Sequence, residues 1–396
     1  TASPSGLTST GSTSIFALLT TLPTLEGNIA NAELFMILPT IFGMFLLFSL
    51  KKENIKLYFY GGLIFSLAFL FKVPAFFDLA ALVLYWFFIS FGESREMVKS
   101  LKNFSVLVIG FLVPIIIIVL YFVSKNAFPY FLEGALSQNL SYITSWSTPK
   151  LPSGDSVFLS GNLSFRFTVL SGLIFILFLF KRIIDRSTLF VCIWFIFSIF
   201  AFLLSGRPYP HYIIQALPSA AIALSLLFFG AQKYRFWIVP IFLIFLTSLV
   251  FYKFHYYPIL PYYSNFINKI TGQITKDEYF AKFDKRVPQT YKIANYLSER
   301  SNPQDRVFIW GTEPETYSLA RRLPPGRYTT SFHIVDFNGQ KETIKSLQDN
   351  HPKYIVLMEN ERREFPEFFD FLQKNYVYVQ NIGSAQIWLR LKLLSS

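Results

Sequence analysis

A mostly α fold is predicted, a polytopic bundle of about eight transmembrane helices followed by a small C-terminal α/β domain, and three observations predict it. The chain is 53% hydrophobic and 19% aromatic with 47 Phe, and its mean hydropathy is +0.41. A soluble domain is nearer 45–50% apolar, with about 25% charged residues. Only 15% of this chain is charged, and the charges cluster in short connections between apolar runs. After Lys253 the composition changes: a Tyr- and Pro-rich exit, HYYPILPYY (255–263), leads into alternating strand-like and helix-like segments.

The apolar runs are 33–50, 57–71, 73–91, 104–124, 167–180, 187–204, 211–230 and 236–254. Each is near or somewhat below the roughly 20 residues that a spanning helix needs. The connections KKENIK, GESREMVKSLKN, KRIIDR and AQKYR carry Lys51, Lys52, Lys56, Arg95, Lys99, Lys102, Lys181, Arg182, Arg186, Lys233 and Arg235. The opposite connections hold only Lys72, Lys125, Lys150, Arg166 and Arg207. Positive charge concentrates on the cytoplasmic side, so the first set is expected inside and both ends of the chain outside. The expectation is a multi-pass protein of the plasma (inner) membrane whose C-terminal domain is extracytoplasmic.

Residues 1–32 read as a polar start plus SIFALLTTL (14–22), which is too short to span and fits a partial or interfacial helix. The first dozen residues lack the basic n-region of a signal peptide, and a chain opening on Thr1 is expected to be a fragment or a processed product. Residues 33–254 form the expected membrane domain. Its outer loop 125–165, with Pro129, Pro149, Pro152, Gly154, Tyr142 and Trp146, is long for a connector and is expected to hold interfacial helices. Residues 255–396 form the expected soluble domain. Helices are predicted there at 287–300, 313–322, 341–350 and 364–375, and strands at 306–310, 353–358, 376–382 and 385–391.

The net charge of +12 would raise nucleic acid in a soluble protein. Here it follows from the basic connections, so the bilayer is the expected partner and nucleic acid is not. Cys192 is the single cysteine and lies in an apolar run, which excludes a disulfide framework or a cysteine metal site. The sequence has no GxGxxG, GxxxxGK[ST], CxxC, HExxH or GxSxG, so nucleotide hydrolysis and metalloprotease chemistry lose support. No metal-ligand set is assigned.

Chemistry-bearing residues gather at the expected outer ends of helices. Glu33, with Glu26 upstream, starts a helix, where a carboxylate either complements the helix dipole or lines a cleft. Lys72 sits at an outer turn in FLFKVPAFFDLAAL, with Asp78 about 9 Å deeper along the next helix. An ionisable group at that depth marks a site or a structural pair. The ammonium of Lys72 suits a phosphate, or snorkels. In SGRPYPHYIIQALP (205–218), Arg207, Tyr209, His211, Tyr212 and Gln215 crowd one turn. Arg grips phosphate bidentately, and His and Tyr hydrogen-bond sugar or phosphate oxygens, although an aromatic-basic membrane anchor has the same composition. In WGTEPETYSLARRLPPGRY (310–328) a strand gives way to a helix, a place where α/β sheets bind ligands. There Thr312 with Glu315 also spells an ordinary capping box. The sequons at Asn139 and Asn162 matter only where exported loops are glycosylated.

Taken in order, GNIANAELFMILP, FLFKVPAFFDLAAL, GRPYPHYIIQALPSAAI and VFIWGTEPETYSLARRLPPGRY resemble the later part of bacterial GT-C membrane glycosyltransferases. The nearest group is the dolichyl-phosphate-mannose protein mannosyltransferase-like (RgtA/B/C/D-like) proteins, and the resemblance runs from about residue 14 to near the C-terminus. It implies a GT-C-like bundle and a mannosyltransferase-like hexosyltransferase of the cell envelope. Such an enzyme moves a sugar from a polyprenyl-phosphate donor to an acceptor outside the cytoplasm. It also implies a catalytic acid in a first outer loop. No residue here matches that acid, so the catalytic residue is unassigned and the chain by itself is expected to lack it. The substrate-binding residues implied are Glu33 toward the cavity and Lys72, Arg207, Tyr209 and His211 toward the lipid phosphate; Asp78 stands beside them as a substrate-binding candidate on its depth in the helix alone.

The competing readings are a polytopic transporter, which should show internal repeats and broken helices, and a non-enzymatic membrane scaffold for the C-terminal domain. Donor sugar, acceptor, stereochemistry, divalent-metal dependence and oligomeric state are not legible in the sequence.

Overall fold

Long apolar runs become helices here because helices satisfy every backbone N–H and C=O internally, as a bilayer requires. The computed structural model describes residues 4–48, 54–137, 163–254, 257–359 and 361–391. The chain divides into two units, Thr1–Tyr262 and Tyr263–Ser396.

The first unit contains α1 (Pro4–Thr20), α2 (Ala32–Phe48), α3 (Ile55–Phe71), α4 (Phe76–Ser90), α5 (Ser94–Ser124) and the short α6 (Phe128–Leu132). Next come α7 (Leu163–Phe180), α8 (Arg186–Leu203), α9 (Leu217–Phe229) and α10 (Gln232–Phe251). Each of the eight expected runs falls mainly in helix over its described residues. Six segments among the described residues are long and apolar enough to cross a membrane, namely Val73–Ser90, α5, α7, α8, Pro210–Phe229 and α10; α2 and α3 are shorter apolar helices.

Two expectations need correction. The connection 92–103 is mostly the first turns of α5, which spans 31 residues. Arg95, Glu96, Lys99 and Lys102 are sound helix formers, and Glu96 and Lys99 pair at 3.5 Å. The polar start is also helical: SIFALLTTL is mainly the end of α1. That helix packs on α9, with Ser225 Oγ donating to the Thr8 carbonyl at 2.6 Å. A Cβ at Gly11 would lie 2.7 Å from the Phe229 ring.

α8 is the hub, with 83% of it buried. Phe195 and Phe202 pack on Phe245 of α10, and Phe200 packs on Phe77 of α4. Between lipid-exposed helices, close packing rather than hydrophobic burial supplies the attraction, which favours small residues at contacts. The α3–α5 seam follows that rule. A Cβ on Gly62 would sit 2.1 Å from the Leu107 carbonyl, and one on Gly110 would sit 2.1 Å from the Phe59 carbonyl. On the periphery Leu38, Phe236 and Val250 are each more than 70% exposed, as suits side chains that lipid would cover.

Of the loop 125–165, the described part holds α6 and a π-helical turn, Glu133–Ser137. Tyr142, Trp146, Pro149, Pro152, Gly154 and both sequon asparagines, Asn139 and Asn162, lie outside the described residues.

α11 (Ile259–Ile270) runs across the division between the units. The second unit continues with α12 (Lys276–Ala281), α13 (Val287–Arg300), β1 (Val307–Trp310), α14 (Glu315–Ala320), α15 (Ser331–Asp336) and α16 (Gln340–Asn350). β2 (Tyr354–Leu357), α17 (Pro366–Asn375), β3 (Tyr376–Ile382) and β4 (Ala385–Arg390) complete it. The sheet order is β1-β2-β4-β3, with β1 and β2 parallel and the other pairs antiparallel. Alternation along β1 sends Val307 and Ile309 into a core with Ile293 and Leu297 of α13. Phe308 and Trp310 enter the other core, with Leu347 of α16 and Phe368 of α17. Both faces of the sheet are thereby covered.

The expected helix 313–322 is shorter, because Arg321 turns left-handed at φ 53° and ends it. The Thr312–Glu315 capping box does not form. Pro314 is the N-cap, and the Thr312 amide donates instead to Glu313 at 2.7 Å.

Candidate functional site

In the first unit a cavity of about 720 Å³ opens where α3 ends, α4 begins and α5 gives way to α6. Pro74 sets this junction: it ends the hydrogen-bond ladder of α3 and starts the 3-10 turn Val73–Ala75 that leads into α4. Lys72, extended at φ −157°, stands at the corner. Its ammonium forms an ion pair with Glu33, in the first turn of α2. The same Nζ lies 4.0 Å from the ring centre of Tyr212, a cation–π contact. Glu33, Lys72, Tyr212 and Gln215 all line the cavity. The remaining wall is mainly apolar, with Ile115, Ile118 and Val119 from α5 facing Phe131 and Leu136.

The 3-10 turn Pro210–Ala216 holds the aromatic side. His211 Nδ1 is 2.5 Å from Glu26 Oε2. Tyr209 stacks on the imidazole with ring centres 5.7 Å apart and planes 9° apart, and Tyr212 meets it edge-on at 4.8 Å. The set Glu26, His211, Tyr209 therefore braces Tyr212, which in turn touches Lys72. Arg207 is half-buried, and its backbone amide donates to Ser205 Oγ at 3.3 Å. Ser205 lines the cavity; Arg207, Tyr209 and His211 do not.

Asp78 belongs to a different layer. It is 1% exposed and does not line the cavity. Oδ1 accepts from Trp194 Nε1 at 2.7 Å and from Ser198 Oγ at 3.2 Å, and Oδ2 accepts from Gln215 Nε2 at 2.9 Å. Gln215 also donates to the Pro74 carbonyl at 2.8 Å, so a single amide ties the cavity wall to the buried carboxylate. Four hydrogen-bonded elements thus fix the corner at Lys72.

The structure brings Glu33 and Lys72 into one cavity, sets Tyr209 and His211 beside it, places Arg207 two residues from its lining, and buries Asp78. Tyr212 and Gln215 were visible in the crowded turn, yet nothing in the sequence distinguished them from their neighbours. Trp194 and Ser198 were missed. The available signal was two hydrogen-bonding side chains four residues apart, hence on one face, in an otherwise apolar run.

A second cavity, about 410 Å³, lies between α7, α8 and α10 with Arg166, Tyr252 and Ser248 among mostly apolar walls. Arg166 donates to the Leu203 carbonyl at the end of α8, which complements that helix's negative pole.

At the strand ends of the second unit, Gly311 accepts from the Ser331 amide at 2.9 Å. Ser331 Oγ binds Glu361, and Arg363 pairs with the same carboxylate at 2.9 Å. Burial pushes the Glu361 carboxyl up, but the Ser331 hydroxyl and the amide and guanidinium of Arg363 outweigh it and hold the group below its ordinary value. Arg322 is buried and spends its guanidinium on backbone carbonyls, including those of Ser298 and Ala320. Among the described residues no three His, Cys, Asp or Glu side chains converge to hold a metal ion. No family model matches the chain, and no curated protein is significantly similar to it.

Proposed function

We propose that this chain is an integral-membrane glycosyltransferase, a GT-C-type hexosyltransferase. It moves a sugar from a polyprenyl-phosphate donor to an acceptor on the extracytoplasmic side. The observation that supports the reading is the amphiphilic cavity. It offers one cationic corner, Lys72, ringed by Glu33, Tyr212 and Gln215, at the end of an apolar trough along α5. A lipid phosphate needs that combination: a cation for the headgroup and aliphatic walls for the first isoprene units.

In the transfer, the acceptor oxygen bonds to the anomeric carbon and the bond from that carbon to the phosphate oxygen breaks. Polyprenyl monophosphate leaves, and the acceptor's proton passes to base or solvent. Negative charge grows on the departing phosphate, and Lys72 stabilises it at the moment it develops. The catalytic base is not assigned to any residue of this chain. Sidedness rests on the distribution of Lys and Arg among the connections, which puts the Lys72 end of the bundle and the C-terminal unit outside the cytoplasm. Consistent with this, Lys181 caps the opposite end of α4, donating to the Phe88 carbonyl at 2.7 Å.

The test is sugar transfer from a panel of polyprenyl-phosphate sugars in membranes carrying the chain and its Lys72→Ala variant at matched expression. A loss of about 10²–10³-fold in the variant is expected. Donor binding is measured alongside transfer, and a folded wild type that binds none of the donors would remove the proposal.

A further inference from the structure

We infer that Glu33 makes the cavity discriminate by charge, favouring a singly charged sugar phosphodiester over the doubly charged polyprenyl monophosphate left after transfer. The inference rests on the proposed function and adds to it the preference between substrate and spent carrier.

Among the described residues that line the cavity Lys72 is the one cation, and its ammonium is already paired with Glu33. Glu33 is 2% exposed and sits in the first turn of α2. Other polar groups that line the cavity there, Tyr212, Gln215 and Ser205, are uncharged. The nearby His211–Glu26 pair, the Asp78 cage and the guanidinium of Arg207 do not line it. Over the described lining residues an incoming phosphate therefore meets a corner whose two charges, Lys72 and Glu33, cancel.

Two ligands that differ by one charge feel that corner differently. A phosphodiester is a monoanion: it shares Lys72 with Glu33, and the hydroxyls of its sugar can donate to the carboxylate. A monoester approaches a dianion near neutral pH, offers fewer donors, and brings its second charge against Glu33. One extra unit charge within a few ångströms of a fixed carboxylate at a partly buried site shifts affinity by about tenfold or more. The substrate is held and the spent carrier is repelled, so turnover does not stall on its own product.

The experiment uses the full chain in nanodiscs and two sugar-free probes, undecaprenyl phosphate and its methyl diester, compared by competition at neutral pH. The wild type should bind the diester more tightly. Glu33→Gln should tighten the monoester by about tenfold relative to the diester, and Glu33→Asp should restore the preference. A second arm needs no variant. In the wild type, lowering the pH below about 6 protonates the monoester and should close the gap, because the diester does not titrate there. Equal changes for both probes in Glu33→Gln, or a gap indifferent to pH, would overturn the inference. Binding of neither probe by the wild type would instead sink the proposed function on which it rests.

Discussion

Asp78 and Trp194, on α4 and α8, meet through a single hydrogen bond: the indole N–H donates to the carboxylate at 2.7 Å with both groups buried. Ser198 and Gln215 complete the cage. Asp78→Asn keeps the shape but turns an amide donor toward groups that themselves donate. Each donor so stranded costs about 1–3 kcal/mol. The melting temperature in detergent should fall clearly for Asp78→Asn and less for Trp194→Phe, which leaves two donors in place. An unchanged Asp78→Asn would mean that the cage does not hold the helices together.

Lys72 and Arg207 were equal candidates in the sequence, but the geometry ranks them. Lys72 lines the cavity and Arg207 does not. Donor binding, measured with a labelled polyprenyl phosphate, should be lost in Lys72→Ala. Arg207→Ala should weaken it by less than about tenfold, since its positive charge acts from farther off. The reverse order would move the phosphate seat to the turn at 205–218.

Gly62 offers a mechanical test. A methyl there must push on the backbone of α5, with the Leu107 carbonyl at 2.1 Å and the Phe111 nitrogen at 2.6 Å. Backbone cannot rotate away as a side chain can. Gly62→Ala should cost about 1–3 kcal/mol, read as a lowered denaturation midpoint. Gly172→Ala, where no atom lies within 4 Å of the new Cβ, is the control and should be neutral.

In the second unit, Glu361 is held below its ordinary value, so the stability it contributes is present above about pH 4.5 and is lost as pH falls through its folded value. Hydrogen-exchange protection of the Ser331 amide, which bonds Gly311, should drop in that window. Glu361→Gln should flatten the drop. Protection that stays constant with pH in the wild type would remove Glu361 as its source.

Much of this architecture was legible because the signals are periodic. Val307–Trp310 and Tyr354–Leu357 are short apolar runs bounded by polar residues, and Val287–Arg300 carries Ile293, Ala294 and Leu297 on one stripe. The start of α5 was illegible because Arg95, Lys99 and Lys102 read as a loop by charge, although they are helix formers by propensity. α15 (Ser331–Asp336) is only six residues long and offers no period to detect. At the site, Glu33 and Lys72 stood out as charges in apolar context. Their pairing across 39 residues did not, because the crossing of α2 and α3 decides it. Thr312 and Glu315 fit a capping pattern by spacing alone, whereas Pro314 and the nearer Glu313 carboxylate decide the outcome.

The glycine seam fixes how closely α3 and α5 approach, and both helices carry side chains into one side of the cavity beyond it. On the side of that seam the spacing is set by main chain touching main chain, a dimension that no rotamer adjusts. Across from it the boundary is drawn by the rings and branched tips of Phe128, Phe131, Leu132 and Leu136. Exchanging those four side chains therefore resizes the trough, while the spacing of the two glycine-locked helices stays fixed.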